Sequence, residues 1–283
     1  MEETQPSVVV EKGKKWFPAA FLSGSYAALC ALVIYGVIVA GSLRTGGVGL
    51  PDDLAPWEVL AMILAGVLFA LLIIRKVKVR MAWELILGMT LFLGAWFYAW
   101  LLFPLSLAVL LAALFTLLQG TVRRVWIHNV FMLVGAAGMS LNFAFALSDK
   151  TLLILLVCLA LYDTFAGRPG GVMAEFAASL VHRGVIPGLI VPGRIRDIVA
   201  PVLEAVKRAD ASFLGAGDLI LPLTLVARAS ASGMLQGITV AVGIILAACW
   251  LGSRGPTKPF PALVPLAICS IVPYLALFFL QQL

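Results

Sequence analysis

The sequence predicts an all-α protein: a polytopic membrane bundle of nine transmembrane helices, N-terminus cytoplasmic and C-terminus outside. Three observations predict it. The 283 residues are 62% hydrophobic and only 12% charged, with a mean hydropathy of +1.07, where soluble domains carry about 25% charged residues. Apolar runs of about twenty residues, enough for a helix to cross ~30 Å of hydrocarbon, recur along almost the whole length. They are apolar all round, which disfavours the alternating strands of a membrane barrel. No fixed-spacing repeat or low-complexity tract divides the chain. Residues 1–283 therefore read as one membrane-embedded domain, with helices one to five in 1–150 and helices six to nine in 151–283.

The first span runs from Trp16 to Ala40, and the second from Trp57 to Ile74. The first is expected to stay as a signal anchor, since its apolar stretch is too long for a cleaved leader and has no obvious small-residue cleavage site. Ala82 to Gly120 is almost uncharged. As a single helix of 39 residues it would reach ~58 Å at ~1.5 Å per residue, about twice the hydrocarbon thickness. It must fold back, and Pro104 marks the turn between spans three and four. Span five covers Trp126 to Leu147 and span six Thr151 to Gly167. After a loop over 168–210, span seven covers Ala211 to Ala227, span eight Met234 to Gly252 and span nine Pro261 to Leu280.

Basic residues orient this bundle. With the N-terminus inside, seventeen of the twenty Lys and Arg residues fall on the cytoplasmic side, and only Arg44, Lys150 and Arg228 fall outside. Such a split follows the positive-inside rule, and one missed helix would scramble it. The net charge of +6 is accounted for by loop cations at an anionic inner leaflet, so no nucleic-acid partner is implied. Cys30, Cys158, Cys249 and Cys269 all lie within expected spans, with no CxxC, and read as free buried thiols. The two histidines, His128 and His182, fall in different loop regions and give a zinc site little to build on. No metal or cofactor is expected.

Two acidic residues interrupt the apolar runs: Asp163 in CLALYDTFAG and Asp218 in FLGAGDLILP. The other twelve lie in loops, tails or span ends. A carboxylate inside a bilayer costs about 2.5–3.5 kcal/mol on the insertion scale, so an intramembrane acid marks function first. Asp163 precedes Arg168 by five residues, ~7 Å of helix, and Asp218 follows Asp210 by eight, ~12 Å. Spans six and seven run in opposite directions, which brings both carboxylates to a similar shallow depth on the cytoplasmic side. Each could instead be a structural polar group bonded to a neighbouring helix. Two facing carboxylates in low dielectric cannot both ionise, so they share a proton and titrate as a pair. The charged partner can act as general base on a water and the protonated one can donate to the carbonyl oxygen under attack. This is aspartyl-protease chemistry, without a metal.

The residues around the pair carry a resemblance. Tyr162-Asp163 in span six, Gly215-Ala216-Gly217-Asp218 in span seven and Pro261-Ala262-Leu263 opening span nine match YD, GxGD and PAL motifs. In order and placement they resemble those of the presenilin and signal-peptide-peptidase family of intramembrane aspartyl proteases. The compact nine-span plan is most similar to microbial presenilin homologues. The resemblance covers Thr151 to the end; the first five spans agree in number and orientation. It implies Asp163 and Asp218 as catalytic dyad, with Tyr162, Gly215, Gly217, Pro261, Ala262 and Leu263 at the substrate. It also implies that the loop strand, here Leu189, Ile190 and Val191, pairs with unwound substrate. The partners implied are transmembrane-helix proteins, the lipid bilayer and a second copy of the chain, in the cell membrane of a microbe.

Physical readings of the motif residues stand beside this. Gly215 and Gly217 lack Cβ atoms, which admits close approach by substrate or span six, or serves ordinary small-residue helix packing. Tyr162 offers a hydroxyl to orient a carboxylate or water, or is an interfacial aromatic. Pro261 frees backbone groups that could hold an unwound peptide, or starts span nine as a first-turn proline. In the loop, Val185 to Pro192 is a β-prone run bounded by Pro and Gly, where edge addition at Leu189 to Val191 is the sharper reading and a plain cytoplasmic loop the other. Ile195 to Arg208 has the spacing of a helix lying on the membrane surface. Ala216 stands where leucine is frequent in the presenilin branch, which bears on substrate preference and not on the chemistry.

The expected activity is endoproteolysis within the membrane-spanning helices of single-pass proteins. An N-in, C-out chain resembles the presenilin branch, signal peptide peptidases being inverted. A prepilin-type peptidase also uses GxGD, but the lysine usual just after that motif is replaced here, at Ile220. The alternative from another class is a cation or proton channel or transporter that uses the carboxylates as its ion site.

Overall fold

A computed structural model describes residues 16–43, 61, 80–166, 184–206, 211–254 and 261–280. Its elements are α1 (Trp16–Leu43), α2 (Arg80–Leu102), α3 (Leu105–Thr121), α4 (Val125–Ala146) and α5 (Asp149–Ala166). There follow β1 (Gly188–Val191), a 3-10 turn (Ile195–Val199), α6 (Val202–Val206), β2 (Ser212–Gly215), α7 (Ala216–Ser232), α8 (Met234–Arg254) and α9 (Leu263–Leu280). Eight of the nine expected spans coincide with one of these helices; the second, Trp57 to Ile74, lies outside the described residues. By length and composition α1, α2, α4, α8 and α9 are long and apolar enough to cross a membrane. α3 is shorter, α5 carries three charges in eighteen residues, and α7 has seventeen residues with Pro222 inside it.

Local sequence explains the breaks. α2 stops at Leu102 and α3 starts at Leu105, with Pro104 extended between them (φ −55°, ψ 148°); proline disfavours helical backbone in the residue before it. This is the turn expected at Pro104. Two expectations need correction. Span seven does not begin at Ala211: Ser212–Gly215 is a strand, and the helix starts at Ala216. The surface helix expected over Ile195 to Arg208 is two short pieces, because Pro201 pushes Ala200 into extended backbone (ψ 155°). The Ala200 carbonyl and the Val202 N–H then pair with Val125 and Arg123 at the start of α4, at 3.1 and 3.0 Å.

α7 forms the centre. It packs against α1, α4, α8 and α9, and more lightly against α5. Leu219, Leu223, Leu225, Val226 and Ala229 on several of its sides are fully buried, because neighbouring helices cover it on more than one face. α5 lies at the rim, packed on α9 and α7. A small second core of Val125, Ile186, Ile190, Val202 and Ala205 seats the loop segment on the end of α4.

Lipid tails are as apolar as leucine, so close packing between helices has to supply adhesion. The α2–α4 pair achieves this with glycine: a Cβ on Gly138 would run into the Gly94 carbonyl, and one on Gly94 into that of Gly135. Gly138→Leu is therefore expected to lower stability by at least ~1–3 kcal/mol, the usual cost of overpacking. Thermal unfolding in detergent measures it, and an unchanged midpoint would show that the two helices have room to part.

Candidate active site

Asp218 owes its position to a strand-to-helix junction. Gly215 ends β2 and caps α7, with φ −60° and ψ 149°. Asp218 is then the third helical residue, and its carboxylate accepts a hydrogen bond from the Gly215 N–H. This is the returning half of a capping box, at a helix end whose partial positive charge favours an anion. The fit is close: a Cβ on Gly215 would lie 3.2 Å from Asp218 Oδ2.

Pro222, four residues on, has no N–H to give the Asp218 carbonyl. An orphaned carbonyl in a membrane interior is costly. The Tyr26 hydroxyl, fully buried on α1, donates to it at 2.9 Å. Two residues further, the Ile220 carbonyl accepts from Ser140 Oγ of α4 at 3.0 Å and from Thr224 Oγ1 at 2.8 Å. Tyr26→Phe leaves the Asp218 carbonyl without its donor and is expected to cost about 1–3 kcal/mol of stability. Unfolding of the variant in detergent checks this, and no loss would mean that the carbonyl is served from elsewhere.

Asp163 lies three residues before the end of α5 and is half-buried. Its Oδ2 accepts a hydrogen bond from the Leu263 N–H at 3.2 Å. Leu263 opens α9, so this N–H is one of the helix's unpaired first-turn donors, and its buried side chain fixes the helix start. Each carboxylate thus meets a helix N-terminus, and the two are near enough to interact electrostatically. At the opposite ends of the same helices, Arg228 of α7 donates from Nε to Asp149 Oδ1 of α5 at 2.6 Å and from Nη1 to the Ala144 carbonyl of α4 at 3.3 Å. That ion pair ties the rim helix to the central one.

The structure thus brings together Asp163, Asp218, Gly215 and Leu263, with Pro261 and Ala262 immediately before Leu263. Tyr162 is 40% exposed, and no hydrogen bond joins its hydroxyl to either carboxylate among the described residues. Gly217 faces open space, with nothing within 4 Å of where a Cβ would stand. Span six approaches neither glycine among the described residues: the atom that a Cβ on Gly215 would meet belongs to Asp218 itself. A cavity of about 140 Å³ is lined by Glu84, Arg123, His128, Val185, Ile186 and Val202 among others, and by neither aspartate.

β1 and β2 pair antiparallel in the register Gly188↔Gly215, Leu189↔Leu214, Ile190↔Phe213 and Val191↔Ser212. The other edge of β1 is also occupied. Asn129 Nδ2 donates to the Ile190 carbonyl at 2.7 Å, Asn129 Oδ1 accepts from the Ile190 N–H at 2.9 Å, and His128 Nε2 lies 2.8 Å from the Gly188 carbonyl. Edge addition at Leu189 to Val191 is thereby corrected: that strand has no open edge. Because ladder bonds alternate sides, Leu189 and Val191 face β2, and Phe213 and Gly215 turn their backbone groups away from β1. Among the described residues the outward edge of β2 has no partner strand, and Phe213 there is 40% exposed.

Sequence reasoning missed Tyr26, Ser140, His128 and Asn129. His128 is not in a loop; it is buried in the first turn of α4. One signal was available: Pro222, inside an apolar run, stands one helical bond beyond Asp218 and calls for an outside donor to that carbonyl. The cysteines lie apart as free thiols on α1, α5, α8 and α9, with Cys158 and Cys249 exposed and not buried.

No protein-family model matches the chain, and no curated protein matches it. Solved structures do. A presenilin-family intramembrane aspartate protease in space group C222 superposes with a TM-score of 0.59 at 19% identity, covering 93% of this chain and 98% of that one. The same description in space group P2 gives a TM-score of 0.56 at 20% identity, covering 93% and 100%. The chain therefore has the fold of these presenilin-family structures over nearly its full length. Together with five apolar helices of spanning length among the described residues, this fold makes it an integral membrane protein.

Proposed function

We propose that the protein is an intramembrane aspartyl endopeptidase with Asp163 and Asp218 as its catalytic dyad. The observation that carries this reading is two carboxylates from separate helices near enough to interact, Asp163 held by the Leu263 N–H and Asp218 by the Gly215 N–H, in a fold shared with presenilin-family aspartate proteases. The ionised carboxylate takes a proton from a water as the water oxygen bonds to the scissile carbonyl carbon. The protonated carboxylate donates to the carbonyl oxygen, which becomes a hydroxyl. When the tetrahedral intermediate collapses, the C–N bond breaks and the amine leaves with the proton held by the first carboxylate. The second carboxylate recovers its own proton from the hydroxyl.

A transmembrane helix hides its peptide bonds in its own hydrogen-bond ladder, so the substrate must unwind first. The outward edge of β2 offers the backbone N–H and C=O of Phe213, five residues before Asp218, to an extended segment. Substrates on this reading are single-pass membrane proteins with N-termini outside, cut near the cytoplasmic leaflet by a nine-span enzyme whose own N-terminus is inside. The cell membrane of a microbe is the setting.

Purified protein incubated in detergent with a single-span peptide tests this, with products read by mass spectrometry. Cleavage by the wild-type protein and none by Asp218→Ala is the expected result. Proton or cation flux through reconstituted vesicles that depends on both aspartates, with no cleavage, would replace the reading with an ion pathway.

A further inference from the structure

β1 is held by side chains as another strand would hold it. Asn129 presents its carboxamide to both backbone groups of Ile190, at 2.9 and 2.7 Å. Side chain and strand residue are both buried. The Gly188 carbonyl can only accept, so His128 Nε2, 2.8 Å away, carries the hydrogen. Gly188 and Ile190 are two residues apart and face the same edge, so consecutive residues of α4 serve consecutive polar groups of that edge. The opposite face of the lock is glycine: a Cβ on Gly188 would run into the Leu214 carbonyl of β2.

These contacts determine register. Sliding β1 by one residue would turn Leu189 and Val191 toward Asn129 and their side chains to the other face. Sliding it by two would put Ile190, with a full side chain, where Gly188 meets the Leu214 carbonyl. β2 is paired to β1 residue for residue and runs straight into Gly215 and Asp218. The height of β2 relative to the carboxylates is therefore set from behind the sheet, by α4.

We propose that Asn129 and His128 are specificity-determining positioning residues that fix which peptide bond of an unwound substrate reaches the dyad. The inference rests on the protease reading above. Neither side chain touches the aspartates in the structure; they act through β1 and then β2. A substrate strand on the outward edge of β2 inherits the register of the sheet, in steps of two residues.

The test compares product masses from one single-span peptide cut by the wild type, Asn129→Leu, His128→Phe and His128→Gln. Leucine and phenylalanine remove the donors at similar volume, whereas glutamine keeps an Nε2 donor for Gly188. The expected result is a several-fold change in the ratio of cleavage positions for Asn129→Leu and His128→Phe, with His128→Gln close to wild type. Folding variants that slow cleavage but leave the ratios unchanged would overturn the proposal, because simple destabilisation lowers rate without moving the cut. Amide exchange across Ser212–Gly215 gives a readout without substrate: at least tenfold faster exchange is expected in Asn129→Leu, and in His128→Phe should the first variant fail to fold. Unchanged exchange would also overturn it. Absence of cleavage by the wild type, with exchange altered as expected, would remove the protease reading and leave the clamp standing as the determinant of sheet register.

Discussion

Asp163→Asn and Asp218→Asn, each alone, are expected to lower cleavage by at least about 10²–10⁴-fold, the contribution of one positioned acid or base. Asparagine has nearly the shape of aspartate and keeps a side-chain oxygen. At 163 that oxygen still accepts from the Leu263 N–H, and at 218 from the Gly215 N–H. Helices α7 and α9 therefore keep their starts, and unfolding in detergent should remain close to wild type. What is lost is the exchangeable proton. Without it one side of the dyad neither takes a proton from water nor returns one to the leaving amine. Asp163→Ala and Asp218→Ala should be equally inactive. Substantial turnover by any folded single variant, measured by product mass, would remove the dyad assignment.

Gly215→Val is expected to lose about 10²-fold in cleavage, while Gly217→Ala stays within a few-fold of wild type. The two glycines belong to one motif, yet their surroundings differ. At Gly215 a Cβ would stand 3.2 Å from Asp218 Oδ2, and valine adds two methyl groups around it. Its backbone, at φ −60° and ψ 149°, suits any residue, so the damage is to the carboxylate's position and not to the chain's path. A displacement of ~1 Å at a reacting group costs about 10² in rate. At Gly217 nothing lies within 4 Å of an added methyl. Steady-state cleavage by both variants checks the asymmetry; equal losses would mean that Gly217 also meets the substrate.

The gap between motif and geometry has a physical origin. Asp163 and Asp218 were legible because an acid in an apolar run violates the rule its neighbours obey; Pro261 to Leu263 was legible only through its resemblance to a family motif. The start of α7 was not. Ser212–Gly215 is short and apolar, and such a run reads equally as strand or helix until its partner is known. The partner, Gly188–Val191, lies some twenty residues earlier in the chain. The reach of Tyr26 to the Asp218 carbonyl spans 192 positions, and no local pattern encodes it.

By itself the sequence determined the helical fold class, most helices among the described residues and the break at Pro104, and it singled out the two aspartates as exceptions within their apolar runs. Each of these is a local matter: the hydrocarbon selects apolar length, proline removes a donor, and a buried charge stands out from its run. Only the tertiary structure decided that α7 is central and α5 peripheral, and that Leu263 presents its N–H to Asp163. It alone showed β1 closed on both edges by β2 and by Asn129 with His128, with no further strand on β2 among the described residues. Those outcomes depend on which buried polar groups find partners across the bundle, and a membrane interior offers no water to satisfy the ones left over.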